Sequence, residues 1–167
     1  QFGNSIDVSA NGKLLAVGAP FATTDSLNDG KVYVFSLETT PELQQTITSI
    51  KTENFEKFGF DVKFMKNDNS LVIFSANGDI TQKTIFDTPN YTTFDNSSLQ
   101  IVDIKIDSGR IDIFDRYNTN FIYGETLEVI TTTDFSDAYG SAIAIANDIV
   151  LVGAPNDNIA RGTVLSY

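Results

Sequence analysis

Three stretches of this chain carry the same landmarks in the same order, which constrains it to fold as copies of one small unit. The first runs from Phe2-Gly3-Asn4-Ser5-Ile6 to Leu15-Ala16-Val17-Gly18-Ala19-Pro20 and resumes at Gly30-Lys31-Val32-Tyr33-Val34-Phe35. The last runs from Tyr139-Gly140-Ser141-Ala142-Ile143 to Leu151-Val152-Gly153-Ala154-Pro155 and resumes at Gly162-Thr163-Val164-Leu165-Ser166-Tyr167. Between them lies a diverged copy: Phe58-Gly59-Phe60-Asp61-Val62, then Leu71-Val72-Ile73-Phe74-Ser75-Ala76, then Gly109-Arg110-Ile111-Asp112-Ile113-Phe114. In this copy Ser75-Ala76-Asn77 is read as the counterpart of Gly-Ala-Pro. The aromatic-Gly pairs are unevenly spaced, and the excess is assigned to an insertion at about residues 77–105.

Each unit reads as a set of short strands. Residues 5–9, 31–35 and 110–114 alternate polar and apolar side chains, the period of a strand with two different faces. The runs 14–17, 71–74 and 149–152 are continuously apolar, as in a strand covered on both faces. Asn11-Gly12 is a tight-hairpin signal, and Asn67-Asp68-Asn69 and Asn147-Asp148 occupy the same turn in the other copies. Gly3, Gly59 and Gly140 stand where a backbone bend or close packing would exclude a Cβ, and Pro20 and Pro155 are placed to end the second strand. Fourth strands are expected near 43–50 and 121–129, and the third unit ends before its own. No segment sustains a 3.6-residue apolar period, so almost no helix is expected. Repeated units of four antiparallel strands give an all-β prediction: part of a β-propeller or an open arc of blades, with 1–55 as blade one, 56–135 as blade two with its insertion, and 136–167 as an incomplete blade three.

Composition narrows the chemistry. The chain has 167 residues, 41% of them hydrophobic, enough to bury a core. Twenty-two Asp and Glu against eleven Lys and Arg give a net charge of −11, a field that repels phosphate backbones and argues against a nucleic-acid partner. Without Cys there are no disulfides or thiolate metal sites; without His, the commonest general base is missing and Ser-His-Asp or Cys-His catalysis is excluded within the chain. No apolar run is long enough for a membrane helix, so no membrane insertion is expected. The chain begins at Gln1, and is expected to be a mature product or a piece of a longer one.

Phe-Gly followed by Gly-Ala-Pro resembles the FG-GAP repeat, the blade unit of the propeller in integrin α-subunits and many extracellular proteins. The resemblance spans nearly the whole chain, strongly in the first and third units and weakly in the second. It implies a β-propeller scaffold for adhesion or recognition. Calcium-binding members carry an Asp-rich loop between the first two strands. Here that turn is Ser9-Ala10-Asn11-Gly12 in the first unit, and the third has a single acid, Asp148. Calcium wants six to eight oxygens, largely carboxylate, so no metal is expected in these hairpins. Asp25, Asn28 and Asp29, with Asn156, Asp157 and Asn158, are the remaining metal candidates, and Asx-rich turns are the plainer account of them. In the second unit Thr92-Thr93-Phe94-Asp95-Asn96, Asp107-Ser108-Gly109 and Asn120-Phe121-Ile122-Tyr123-Gly124 are similar to repeats in large structural proteins of tailed phages. That similarity implies a place in a virion, in a tail, baseplate or fibre.

For catalysis the chain offers paired carboxylates, Asp103 with Asp107 or Asp112 with Asp115. Asp103, Asp107 and Asp115 share parity, but the turn at Asp107-Ser108-Gly109 breaks any continuous face, and solvated strand acids account for them. No catalytic residue and no cofactor is assigned. Residues 81–98 are rich in Thr, Asn and aromatics, and read as a long exposed loop or an extra hairpin; Tyr91, Phe94, Asp95 and Asn96 are the candidate ligand-binding residues there. The expected function is a non-catalytic structural or adhesive module of a large assembly, foremost a phage virion. Its partners would be other chains or flanking blades of that assembly, with a surface glycan as a further ligand. The alternative is a recognition domain on an extracellular cell surface that binds a carbohydrate or a protein. A propeller-type polysaccharide lyase or glycosidase ranks third.

Overall fold

The computed structural model describes residues 1–51, 54–76, 79–87, 99–107, 109–127, 140, 142–146, 149–154 and 162–167. Among them every regular element is a β-strand and no helix occurs. The first four strands, β1 (Ser5–Val8), β2 (Leu14–Ala19), β3 (Lys31–Ser36) and β4 (Glu42–Thr48), form an antiparallel sheet in chain order. Next come β5 (Phe58–Phe64) and β6 (Ser70–Ser75). The chain then leaves for a two-stranded antiparallel ribbon, β7 (Asp79–Asp87) with β8 (Leu99–Asp107), inside the segment read as an insertion. It returns as β9 (Arg110–Tyr117) and β10 (Asn120–Leu127) to complete a second sheet in the order β5, β6, β9, β10. The third sheet holds β11 (Ala142–Ala146), β12 (Ile149–Ala154) and β13 (Thr163–Ser166). The three sheets are not closed into a barrel.

Strand register fixes which residues are equivalent. Val8 pairs with Leu15, Phe64 with Leu71 and Ile145 with Val150. The first two units are therefore offset by 56 residues, the spacing of Gly3 and Gly59. Gly18 then corresponds to Phe74 and Gly153, so Phe74-Ser75-Ala76, not Ser75-Ala76-Asn77, stands where the other units read Gly-Ala-Pro. Matching the shared alanines slips the second unit by one residue, and in a strand one residue reverses the face.

The first turn also differs from expectation. Ser9 N–H donates to Leu14 O and Gly12 N–H to Ser9 O, so four residues join the strands instead of a two-residue Asn-Gly turn. Gly12 closes it at φ 71°, and its equivalent Asp68 takes φ 56°. Asp and Asn enter this left-handed region more readily than other side chains, which is why the Asx run could replace the glycine.

The repeat's glycines occupy backbone that other residues avoid. Gly3, Gly59 and Gly140 have φ of 86°, 80° and 83°. Packing adds a second exclusion. A Cβ on Gly59 would lie 2.7 Å from Lys31 O and 3.4 Å from Gly18 Cα, and one on Gly140 would strike the Phe74 ring at 2.4 Å. Since Gly18 and Phe74 are the same repeat position, both are one contact made twice, between successive sheets.

The cores follow the same rule. Between sheets one and two, Leu14, Ala16, Val32, Val34 and Ile47 meet Phe58, Val62, Phe64, Leu71, Ile73, Phe114 and Phe121. Between sheets two and three, Val72, Phe74, Ile111 and Leu127 meet Ile143, Val150, Val152 and Ala154. Val32 and Ile111 are equivalent, as are Ile47 and Leu127, and Val62 and Ile143. The edge-to-face pair Phe2–Phe35 recurs as Phe58–Phe114. Polar groups fix the register of the first two sheets. The Gln45 side-chain amide donates to Phe121 O and accepts from Phe121 N–H, both at 2.7 Å. Phe64 N–H donates to Asp7 at 2.8 Å.

Candidate functional site

Tyr91, Phe94, Asp95 and Asn96 lie outside the described residues, as do Asn156, Asp157 and Asn158. The other sequence candidates can be placed. Asp103 and Asp107 lie on β8 in the two-stranded ribbon, while Asp112 and Asp115 lie on β9 in the second sheet. Asp115 is exposed and accepts a hydrogen bond from the Ser70 hydroxyl at 2.7 Å. Asp112 is fully buried. Three residues apart on one strand, the two point to opposite faces and form no acid–base pair.

The loop after the first Gly-Ala-Pro is organised around Asp29. Its carboxylate accepts the backbone N–H groups of Thr24, Asp25 and Ser26 at 2.8, 3.1 and 3.2 Å. Burial opposes the charge, but the three N–H donors outweigh it and hold the Asp29 carboxyl below its ordinary range. Asn28 turns the chain at φ 55°. These oxygens are engaged in closing the loop. Among the described residues no three His, Cys, Asp or Glu side chains come together in an arrangement able to hold a metal ion.

Among the described residues, a buried charge cluster that sequence reasoning misses concentrates the most chemistry. Arg110, at the start of β9, is 2% exposed; Asp112, two residues on, is 0%, and Glu56, in the connector before β5, is 1%. Arg110 Nε donates to both Asp112 oxygens at 3.1 and 2.9 Å. Its Nη2 donates to Ser49 Oγ at 2.7 Å and to Glu56 Oε1. Ser49 donates in turn to Glu56 Oε1 at 2.6 Å, and the Thr126 hydroxyl to Asp112 at 2.6 Å. The partner of Asp112 is thus a guanidinium and not a second carboxylate. The visible signal is parity, since Arg110 and Asp112 share one face of a strand. Glu56 and Ser49 come from far along the chain and leave no such trace.

One cation faces two carboxylates here, and Glu56 Oε2 and Arg110 Nη1 find no hydrogen-bond partner among the described residues. Burial pushes the Glu56 carboxyl above its ordinary range, against the lowering pull of Ser49 and Arg110. For Arg110, burial works against the charge, but Asp112 and Glu56 outweigh it and push its pKa up. A carboxyl raised in the folded state stabilises the fold fully below its unfolded value and loses that contribution as pH rises through the folded one. Wild type should therefore lose stability relative to Glu56→Gln as pH is raised from about 4.5 to about 7. Urea midpoints at half-unit pH steps will measure this, and a difference that is flat or of opposite sign would contradict it. The cluster is sealed from solutes, so its chemistry is that of a lock holding the connector and the end of β4 onto sheet two.

Among the described residues, a recess of about 380 Å³ is lined by Val8, Ala10, Phe64, Met65, Lys66, Ile145 and Ala146. Val8, Phe64 and Ile145 are one repeat position, so the first strands of all three sheets converge on a shared space. Beside it, the Asp68 carboxylate accepts the N–H groups of Ala10 and Asn11 at 2.5 and 3.0 Å, joining the turn of unit two to that of unit one. The lining is mainly apolar and brings no acid–base pair together. Compared with known proteins, the chain matches no family model and no curated protein.

Proposed function

We propose that the three sheets are consecutive blades of a β-propeller or open arc of FG-GAP type, and that the chain serves as a non-catalytic structural or adhesive module of a large assembly, foremost a phage virion. One observation carries the reading: the inter-sheet contact repeats, with Gly59 set on Gly18 and Gly140 on Phe74 at equivalent positions. A contact that recurs with one register propagates an architecture. The convergence of the first strands on one recess supports blades arranged around an axis. The acidic composition without Cys or His suits a scaffold more than a reaction centre. Electron microscopy of purified particles with gold-labelled antibody to this chain tests the reading. Label at a fixed place on the particle is the expected result, and a chain recovered only as free, secreted monomer would overturn it.

A second reading has its own support. The ribbon β7–β8 belongs to none of the three sheets and carries the segment with Tyr91, Phe94, Asp95 and Asn96 between its strands. An arm on a rigid scaffold suits recognition of a glycan or protein at a cell surface. On this reading, replacing residues 88–98 by a short Gly-Ser turn, which leaves β7 paired with β8, abolishes binding on a glycan array or to cells while the melting temperature stays unchanged.

A further inference from the structure

We propose that one trapped water molecule is bound in the joint between sheets one and two, held by Arg110 Nη1, Glu56 Oε2 and Ser75 Oγ, and that Ser75 is there to hold it. The inference concerns a single joint between two neighbouring sheets, and does not depend on whether they belong to a propeller.

Three atoms motivate it. Among the described residues, the buried side-chain nitrogen and oxygen atoms without a hydrogen-bond partner are Arg110 Nη1, Glu56 Oε2 and Ser75 Oγ. A buried polar atom without a partner is costly, and folded proteins pair nearly all of them. Strand register brings these three to one place. Ser75 pairs with Arg110 on one side and with Phe58 on the other, so its side chain rises from the same face of sheet two as theirs. That face is turned to sheet one, where Phe58 is core. Glu56 stands two residues before Phe58, and its Oε1 already accepts from Arg110 Nη2. Ser75 therefore lies between the strand that carries Arg110 and the connector that carries Glu56. The ion pair is a fork closed on one arm, with Nη1 and Oε2 left over on the other.

The repeat shows that the strand itself has no need of this hydroxyl. Ser75, Ala19 and Ala154 are one repeat position, opposite Arg110, Lys31 and Thr163 in their ladders. All three are buried. Alanine serves that position in units one and three. Unit two alone places an oxygen there, and unit two alone has arginine across the ladder.

Chemistry selects the occupant. Arg110 Nη1 only donates, a carboxylate oxygen only accepts, and the Ser75 hydroxyl does both. A cation would be repelled by the guanidinium, and an anion by Asp112 and Glu56. A neutral molecule that accepts from Nη1, donates to Oε2 and keeps one bond for Ser75 suits all three. Water does this at the smallest size, and about three bonds is the usual complement of a buried water. It also serves either protonation state of Glu56, donating to the carboxylate or accepting from the acid.

A high-resolution crystal structure of the full chain tests the proposal directly. One ordered water within about 2.7–3.2 Å of all three atoms is the expected result. An ion at that place, direct contact between Nη1 and Oε2, or a dry joint would overturn it. Ser75→Ala gives a reading in solution whose sign decides. The variant is expected to fold, because alanine already fills the position in the other two units. If the water loses a bond, the unfolding constant from urea titrations rises about five-fold. Removing a hydroxyl that bonds nothing would instead relieve a buried polar group, so an unfolding constant that stays the same or falls overturns the water.

Discussion

Arg110→Met is expected to cost about 3–5 kcal/mol, because it leaves Asp112 and Glu56 buried without their cation. For a chain of this length that corresponds to a fall in melting temperature of roughly 10 °C. The loss should be smaller in acid, since protonating Glu56 relieves one of the two stranded charges. Replacing Arg110, Asp112 and Glu56 together by apolar residues of similar volume should recover much of the loss, as the net worth of a buried ion pair is small once desolvation is counted. Thermal melts of the single and triple variants measure both effects. A single variant within about 1 kcal/mol of wild type would show that water reaches the cluster and that it is no lock.

The second large effect separates two glycines that the sequence makes look alike. Gly18→Ala is expected to destabilise by about 3 kcal/mol, since its Cβ would sit 2.0 Å from Gly59 O and 2.4 Å from Ser5 Oγ. Relief would require sheets one and two to move apart. Gly153→Ala, at the same position of its Gly-Ala-Pro tripeptide, should change folding by no more than about 0.5 kcal/mol, since a Cβ there would meet nothing closer than 3.6 Å. Urea titrations at low protein concentration compare the two. Equal losses would mean that both glycines serve a local backbone need, and the inter-sheet account of Gly18 would fail.

Much of the fold is legible because it is written in short-range pattern. Alternation at Lys31–Ser36 gives a strand with one buried and one partly open face. The same alternation at Arg110–Tyr117 gives a strand whose first half is buried on both faces, because its polar side chains pair with one another. The apolar runs become the central β2, β6 and β12. The repeat glycines announce positive φ, and all three aromatic-Gly positions adopt it. Register is where pattern misleads. Ala19 and Ala76 look like partners, yet strand pairing follows the hydrogen-bond ladder and places Ser75 opposite the first residue of β5. The charge cluster is illegible for a related reason. Ser49 and Glu56 reach Arg110 only once sheet one lies on sheet two, 61 and 54 residues along the chain, and no local period records that. The Asx loop is legible as chemistry and ambiguous in role: several oxygen-bearing side chains near one another suggest a cation, but Asp29 satisfies backbone donors instead.

The glycine contact between sheets has a geometric consequence. Near Gly18 and Gly59 two backbones touch with no side chain between them, and the chains approach more closely where β1 and β2 meet β5 than where β4 meets β10. At the outer strands Ile47 and Phe121 hold the sheets apart. Sheets one and two therefore form a wedge, thin at the first strands and thick at the fourth. Wedges laid in one sense bend, and the taper sets the radius of the bend. The side chain at one repeat position thus decides how closely two sheets approach: bare backbone meets bare backbone at Gly18, whereas at the second joint the Phe74 ring lies against Gly140.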